Sequence, residues 1–308
     1  SKTKKYELGK YPDQSLIYKK LSKFLRIDIK KLLLTSGIDG SIKTIFEVLT
    51  KPGDRIGVLS PTYAMYKVYN GLFRTKLKEI KYDDLTFKLN KKDLLNFIKS
   101  SPDIIFLPNP NQPIEDPLDL RDLRKVCSLA KKYKVLVVVD EAYYMFGTSS
   151  AVSLIDDYDN LIILRSFSKS FGVPSIRLGY VISNVNIIQI LSSFRLSYES
   201  NLLTDTVASY LIDNIRFVKN YIIKVIEGRN YLIRELKKLN LQIIGGKSNY
   251  ILINFNNKFL CNKIFNKLKA KKIYVKGNYS YPLSSCILIT CGPKYLMKRF
   301  LVVLKKII

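Results

Sequence analysis

One lysine, Lys169, lies among small hydroxyl residues and glycine, just after an apolar run that ends at Leu164. Ser166 and Ser168 precede it, and Arg177 follows it by eight positions. A lysine amine forms a Schiff base with an aldehyde, whereas hydroxyls and a guanidinium bind a dianionic phosphate from several directions. A lysine in such a turn is more often simply solvated. The chemistry that would use all of these groups is that of pyridoxal 5'-phosphate (PLP), which carries both an aldehyde and a phosphate.

A buried strand is predicted immediately before an acidic side chain. Residues 135–139 form a continuous run of valine and leucine, which is typical of a strand covered on both faces in a parallel sheet. The run ends at Asp140 and continues as Glu141-Ala142-Tyr143. Because α/β sheets bind ligands at the carboxyl ends of their strands, Asp140 is a candidate site residue. Standing alone, the same aspartate would more often cap a helix.

Apolar runs alternate with helical patterns along most of the chain, which predicts an α/β fold with a mostly parallel sheet. Strands are predicted at residues 32–34, 56–59, 75–81, 103–107, 135–139, 161–164, 242–244, 250–254, 273–275 and 287–290. Helices are predicted near residues 15–24, 91–99, 117–133, 202–239, 260–270 and 294–306. The longest helical stretch is predicted to be interrupted near residues 227–228.

Composition excludes several classes of chemistry. The 308 residues contain no histidine, so histidine triads, histidine metal sites and a histidine general base are ruled out. The four cysteines lack metal-ligand or disulfide-framework spacing, and we therefore expect no metal site and a cytoplasmic location. No apolar run approaches the roughly 20 residues that span a bilayer. The first ten residues are polar and basic, unlike a signal peptide.

The formal net charge of +27 raises the question of nucleic-acid binding. The lysines are scattered through every segment, however, and no nucleic-acid motif is present. A compositional bias of solvated surfaces explains the charge better, with some attraction to anionic substrates. We expect neither a nucleic-acid nor a membrane partner.

The segment from Ser166 to Gly179 has the pattern Ser-x-Ser-Lys-x-x-Gly-x-x-x-x-Arg-x-Gly. This pattern resembles the PLP-lysine signature of fold type I aminotransferases, and in particular the histidinol-phosphate aminotransferase-like family. The resemblance extends over nearly the whole chain. It implies an N-terminal arm and helix at residues 1–29, a three-layer α/β/α PLP-binding domain at 30–220, and a smaller α/β C-terminal domain at 221–308.

The resemblance also implies a role for each matching residue. Lys169 would hold PLP covalently and shuttle a proton, Asp140 would contact the pyridine nitrogen, and Tyr143 would contact the phenolic oxygen. Tyr63, in a Pro-Thr-Tyr segment, would stack on the pyridine ring. The phosphate would be bound by the hydroxyls of Ser166 and Ser168, the guanidinium of Arg177 and the backbone amides of Ile38, Asp39 and Gly40.

Tyr11 lies in a Tyr-Pro-Asp motif ahead of the first predicted helix. In the family that the chain resembles, a tyrosine in this motif reaches across a dimer interface to the neighbouring subunit's cofactor phosphate, which implies a homodimer. A tyrosine packed in a turn before a proline is the simpler alternative. The family's upstream segment does not precede this motif, so we expect part of the substrate lid to be missing.

The chain departs from the family pattern at several positions where substrate binds. Gln112 replaces an asparagine that contacts the phenolic oxygen and the substrate carboxylate, and the following Thr-Gly has become Ile114-Glu115. Leu288 replaces an arginine that holds the substrate α-carboxylate. Lys276 replaces an arginine that meets a distal phosphate, and it would act there as a point charge.

These departures leave three functions open. The prediction is an aminotransferase that moves an amino group between an amino acid donor and a small phosphorylated acceptor. The first alternative is a decarboxylase of a phosphorylated amino acid, of the threonine or serine phosphate type, because an apolar carboxylate pocket favours loss of carbon dioxide. The second alternative is a degenerate PLP-fold protein that binds without turnover.

Overall fold

A seven-stranded sheet forms the centre of the molecule in a computed structural model that describes residues 9–195 and 198–308. Its order is β1-β7-β6-β5-β4-β2-β3. Strand β7 is antiparallel to both neighbours, whereas the pairings among β2 to β6 are parallel. The strands are β1 (Leu32–Thr35), β2 (Arg55–Ser60), β3 (Lys76–Lys81), β4 (Ile104–Pro108), β5 (Leu136–Asp140), β6 (Leu161–Ser166) and β7 (Gly179–Ser183).

Helices cover both faces of this sheet, which explains why its central strands are mostly apolar, without the alternation of a half-exposed strand. Along β4, Ile105 and Leu107 join one buried cluster while Ile104 and Phe106 join the other. One face packs against α2 (Gly37–Leu49), α3 (Met65–Leu72) and α6 (Val185–Ser193). The opposite face packs against α1 (Ser15–Leu25), α4 (Lys91–Lys99) and α5 (Leu120–Lys132). Helix α7 (Leu202–Asp213) packs along α1, and α8 (Ile215–Lys237) follows it. The predicted three-layer α/β/α architecture is confirmed.

A smaller antiparallel sheet lies in the C-terminal part of the chain. Its order is β10-β9-β8, with β8 at Gln242–Ile244, β9 at Tyr250–Asn254 and β10 at Cys286–Thr290. Helices α9 (Lys258–Ala270) and α10 (Lys294–Lys305) accompany it, and α10 packs along α8. The smaller α/β unit is therefore confirmed, while its predicted boundary at residue 221 stays a prediction.

Two details of the secondary structure differ from the sequence-based expectation. The helical stretch is divided at Asn214 rather than near residues 227–228. Gly228 is buried inside α8, where an added Cβ would lie 1.9 Å from the carbonyl oxygen of Gly292, so this glycine permits close packing rather than breaking the helix. The strand predicted at 273–275 is also wrong, because these residues pair with no strand. The nearest pairing with β10 is an isolated bridge between Lys276 and Leu288.

No helix among residues 9–195 and 198–308 is long and apolar enough to cross a bilayer.

Candidate active site

A cavity of about 260 Å³ opens where β4, β5 and β6 end and α2 begins. Parallel strands bring their carboxyl ends to one edge of the sheet, so residues far apart in sequence meet there. Most of the predicted cofactor ligands line this cavity: Ile38, Asp39, Tyr63, Gln112, Asp140, Tyr143, Ser166, Ser168, Lys169 and Arg177. The predicted residues Tyr11, Gly40, Lys276 and Leu288 are not part of that lining.

Lys169 lies in the turn after β6, with its amine 5.4 Å from the ring centroid of Tyr143. Burial lowers the pKa of this amine, and the positive charges of Arg177 and Lys276 lower it further, while Asp140 opposes the shift. A lowered pKa increases the fraction of neutral amine, and the neutral form is the nucleophile that attacks an aldehyde. The environment therefore suits a covalent anchor.

Asp140 ends β5 and is only 6% exposed. Burial raises the pKa of its carboxyl to about 6, against the lowering effect of two hydrogen bonds. The amide of Ala142 donates to Oδ1 at 3.0 Å, and the hydroxyl of Tyr66 donates to Oδ2 at 2.8 Å. Sequence reasoning missed Tyr66, which is three residues beyond Tyr63 and faces the same end of the sheet.

An anion cradle lies at the start of α2. The first amides of a helix have no partner within the helix, and the helix dipole favours negative charge beside them. Gly37 has a φ of +70°, which other residues rarely adopt, and an added Cβ would lie 2.8 Å from Nη2 of Arg177, so glycine is favoured at this helix start. The amide of Gly40 donates to the carbonyl of Ser36 at 3.4 Å. Because the amide of Gly40 is already bonded within the helix, the amides of Ile38 and Asp39 are better placed to bind an anion.

Arg177 is held above this helix start by several oxygen atoms. Its Nη1 donates to the carbonyl of Pro174 at 3.2 Å and to Oγ of Ser168 at 3.5 Å. Its Nη2 lies 3.4 Å from Oδ2 of Asp39. The amide of Ser168 in turn donates to Oγ of Ser166 at 2.9 Å. Hydroxyls, a guanidinium and free amides thus converge on one end of the cavity, as phosphate binding requires.

Two tyrosines form the walls of the cavity. Tyr63 is 38% exposed, and its hydroxyl donates to Oδ1 of Asp39 at 2.7 Å. Tyr143 is buried and packs edge-on against Tyr250, with 5.2 Å between ring centroids. Burial raises the pKa of both phenols, so they act as neutral hydrogen-bond donors.

Gln112 lies on the turn after β4, where its two asparagine neighbours serve the backbone. Asn109 exchanges two hydrogen bonds with the backbone of Leu118, and Asn111 donates to the carbonyls of Pro61 and Ile114. The hydroxyl of Tyr250 donates to the carbonyl of Asn111. With both asparagines engaged in holding the turn, Gln112 is the amide that lines the cavity.

Glu115, on the same turn, ties it to the C-terminal part of the chain. It is 5% exposed and accepts hydrogen bonds from the amide of Lys247 and the hydroxyl of Ser248. The guanidinium of Arg229 holds the same loop by donating to the carbonyl of Ser248 at 2.6 Å. The replacement of Thr-Gly by Ile114-Glu115 therefore produces a buried contact between the two sheets' loops.

A buried ion pair connects the ends of β5 and β6. Arg165 donates to Oε2 of Glu141 at 2.9 Å and stacks on Tyr144, with 3.8 Å from its guanidinium carbon to the ring centroid. Glu141 also accepts hydrogen bonds from Ser150 and from the amide of Ala151. These residues are adjacent in sequence to Asp140 and Ser166, and such a fully bonded pair fixes the positions of both strand ends.

Lys276 and Leu288 are paired across an isolated β-bridge. Their amides and carbonyls exchange two hydrogen bonds, at 3.1 and 2.7 Å. Leu288 is 3% exposed, whereas Lys276 is exposed. Directly opposed residues project their side chains to the same face of a sheet, and the charge of Lys276 reaches Lys169. A cation therefore stands beside the position where the family has an arginine.

Tyr11 is far from buried, at 79% exposure, and it stacks on Tyr198 with 4.5 Å between centroids. The structure does not bring it to the cavity of its own chain.

Comparison with known proteins identifies the family. The model of the family described as aminotransferase class I and II matches residues 5–304 of the chain. The chain belongs to this family. It is thus a PLP-dependent aminotransferase, as the Lys169 stretch predicted. This aminotransferase is 30% identical over 285 residues to the histidinol-phosphate aminotransferase of Clostridium novyi (strain NT), covering 92% of this chain and 78% of that relative.

Solved structures agree on the fold. The crystal structure of histidinol-phosphate aminotransferase from Sinorhizobium meliloti, a complex with PLP, superposes with a TM-score of 0.89 at 19% identity, covering 98% of this chain and 84% of that one. L-threonine-O-3-phosphate decarboxylase from Porphyromonas gingivalis superposes with a TM-score of 0.79 at 19% identity, covering 97% and 93%. Both similarities establish the fold of the aminotransferase and no more.

The cavity fits PLP on its own geometry. The guanidinium of Arg177, the buried carboxylate of Asp140 and the amine of Lys169 line the same cavity, and the charges of Asp140 and Arg177 both act on that amine.

Proposed function

We propose that this aminotransferase binds PLP in the cavity at Lys169 and transfers an amino group between an amino acid and a small phosphorylated ketone, whose aminated form is a compound of the histidinol phosphate type. The observation that supports this most is the convergence of Lys169, Asp140 and Arg177 on one cavity. When bound, PLP accepts electrons from the α-carbon of an amino acid, and the protein decides which bond is broken.

Each residue would contribute one physical function. The amine of Lys169 would bind the cofactor aldehyde, and once released by substrate it would carry the proton of the α-carbon. Asp140 would accept a hydrogen bond from the protonated pyridine nitrogen and stabilise its charge. Tyr143 and Gln112 would donate to the phenolic oxygen, and the ring of Tyr63 would cover the pyridine face.

The phosphate would be held at the opposite end of the cavity. Arg177, the hydroxyls of Ser166 and Ser168 and the amides of Ile38 and Asp39 would donate to its oxygens. The carboxylate of Asp39 lies 3.4 Å from the same guanidinium and accepts a hydrogen bond from Tyr63, so a bound phosphate would compete with it for Arg177. Gly40 would contribute through helix geometry rather than by direct contact.

Substrate recognition would differ from that of relatives with an arginine at the position of Leu288. Lys276 offers a single cation, suited to a phosphate or carboxylate as a point charge. The relatives named as histidinol-phosphate aminotransferases support a phosphorylated acceptor, and the loss of the arginine predicts weaker binding of ordinary α-amino acids.

Addition of L-glutamate to the PLP-loaded protein tests the reaction. An aminotransferase converts bound PLP to pyridoxamine phosphate, so the absorption band of PLP should bleach and return with a keto acid. A band that glutamate and other amino acids leave unchanged would contradict transamination.

A decarboxylase of phosphorylated amino acids is the second candidate. The apolar Leu288, at the position that the resemblance assigns to the carboxylate ligand, favours it, because an unshielded carboxylate in an apolar environment is destabilised. Release of carbon dioxide from phosphothreonine or phosphoserine, without bleaching by glutamate, would establish this activity in place of the first.

A homodimer is proposed from the surface around Tyr11. Exposed apolar side chains gather on α1 and α7 near it: Leu16, Leu203 and Tyr210, which are 56%, 59% and 61% exposed. Large exposed apolar patches usually mark interfaces. In the family that the chain resembles, a tyrosine in this motif reaches the neighbouring subunit's cofactor phosphate, and Tyr11 would do so in such a dimer. The four free cysteines are buried, which supports the proposed cytoplasmic location.

A further inference from the structure

Tyr66 contacts the acid of the proposed site without lining the cavity itself. It lies on α3 with none of its surface exposed, and its hydroxyl donates to Oδ2 of Asp140 at 2.8 Å. Its ring is packed against Phe106 of β4, with 5.0 Å between centroids. A side chain so enclosed has few alternative rotamers, so the position of its hydroxyl is fixed by packing.

The groups around Asp140 show why this hydrogen bond matters. Burial and the charges of Asp39 and Glu141 raise the pKa of its carboxyl, and Lys169 is the cation that faces it from the turn after β6. The phenols of Tyr63 and Tyr143 also face it. Among the described residues, Tyr66 is the side chain and Ala142 the backbone amide that donate to it. A hydrogen bond to a carboxylate favours its charged form.

The two donors also set the orientation of the carboxylate. Each oxygen accepts one bond from the protein, and a carboxylate oxygen has a second lone pair. Because Tyr66 binds Oδ2 and Ala142 binds Oδ1, the two donors together fix how the carboxylate is turned and where its remaining lone pairs point. Because Asp140 lines the cavity, one of them is available to a ligand.

We infer that Tyr66 is a positioning residue, which keeps Asp140 ionised and aims its carboxylate at the pyridine nitrogen of PLP. This inference rests on the proposed role of Asp140. The inference gives the two tyrosines of this segment different roles. Tyr63 donates to Asp39, beside the proposed phosphate ligands, whereas Tyr66 donates to Asp140, the proposed partner of the ring nitrogen.

Tyr66→Phe tests the hydroxyl while the packed ring remains. Tyr69→Phe is the matched control, because it removes a hydroxyl one turn later on the same helix, where Tyr69 packs against Phe46. Asp140→Asn removes the acid. Equilibrium dialysis gives the dissociation constant of PLP for each protein over a range of pH, and the absorption spectrum of the bound cofactor is recorded alongside.

The expected result for Tyr66→Phe is about tenfold weaker PLP binding at neutral pH. Binding should recover at alkaline pH, because Asp140 then ionises without the phenol. Tyr69→Phe should match the unmodified protein, and Asp140→Asn should bind weakly at every pH. Tyr66→Phe with unchanged binding at all pH values, beside a weak Asp140→Asn, would overturn the inference and leave the role of Asp140 intact.

Asp140→Asn with unchanged PLP binding would instead remove the proposed role of Asp140, and the inference with it. Should Tyr66→Phe fail to fold, 3-fluorotyrosine at position 66 provides the test, because it keeps the ring and strengthens the donor. The pH midpoint for PLP binding should then move to lower pH, and an unmoved midpoint would overturn the inference.

Discussion

At the scale of single residues, the cavity separates two kinds of charge. Arg177 and the start of α2 attract an anion, whereas the buried Asp140 attracts a cation or a proton donor. Lys169 lines the same cavity, and burial and neighbouring cations lower the pKa of its amine. One molecule with a phosphate, an aldehyde and a basic ring nitrogen satisfies all three groups, which is the physical reason that PLP fits.

We predict that the positive charge of Lys276 contributes to substrate binding. Lys276→Gln removes the cation paired with Leu288, so the KM of the phosphorylated substrate should rise about tenfold with a smaller change in kcat. Lys272→Gln is the control, because Lys272 is an exposed lysine of the same segment. Steady-state kinetics over a range of substrate concentrations measures both constants. Equal effects of the two substitutions would show that only general surface charge is involved.

Leu288→Arg tests the bridge partner of Lys276 by adding a group rather than removing one. An arginine there would regain a bidentate partner for a carboxylate, and we expect tighter binding of ordinary α-amino acids. Binding is followed from the absorption change of bound PLP as the amino acid is titrated. Unchanged affinity in a folded variant would show that position 288 does not face the substrate carboxylate.

At the scale of elements, the contact of Glu115 with the loop at residues 245–248 joins the two parts of the chain. Glu115→Gly restores the family's residue but deletes two hydrogen bonds from a buried group, so unfolding should become easier by about 1–3 kcal/mol. Glu115→Gln keeps the shape and part of the bonding and should cost less. Thermal unfolding ranks the three proteins. A Glu115→Gly variant as stable as the parent would contradict a structural role for this contact.

The pH dependence of stability gives Glu115 a second signature. Burial raises its pKa above the ordinary value of 4.5, so the folded state binds the proton more tightly than the unfolded state. The resulting stabilisation is present below the ordinary pKa and is lost as pH rises through the raised one. Glu115→Gln should flatten this part of the stability curve. An identical slope in both proteins would count against the assignment.

Much of this architecture could be predicted from the sequence, for identifiable reasons. Residues 135–139 were recognisable as a central strand because an apolar run without alternation is buried on both faces, and the acid that ends it could then be placed at the sheet edge. The predicted helix break at Gly228 was wrong because a glycine can either end a helix or allow another segment to pack closely against it. Here it allows contact with Gly292, which no local sequence pattern reveals. The bond between Tyr66 and Asp140 joins residues 74 positions apart, so no periodicity reveals it.

At the scale of the whole molecule, the proposed dimer makes a prediction that a monomer cannot satisfy. If Tyr11 serves the neighbouring subunit's cavity, Tyr11→Ala and Lys169→Ala are each defective alone. Mixing the two proteins and allowing subunit exchange should restore activity, because one site of each mixed dimer has both residues. Tyr274→Ala, at another tyrosine that is 79% exposed, is the control and should be active by itself. No recovery on mixing, in a sample shown to exchange subunits, would contradict the proposal.

The formal net charge of +27 is a property of the whole molecule. A cationic molecule raises the local concentration of anionic substrates, and this attraction weakens as salt is added. The absence of a nucleic-acid partner stays a prediction.

The most direct test of the central claim is borohydride reduction of the PLP-loaded protein, followed by peptide mapping. We expect the cofactor to be fixed to Lys169 in the parent protein and to none of the lysines in Lys169→Ala, which should still bind PLP reversibly through its phosphate cradle. Cofactor trapped on Lys276 or on a surface lysine, with Lys169 unmodified, would contradict the assignment of this cavity as the active site.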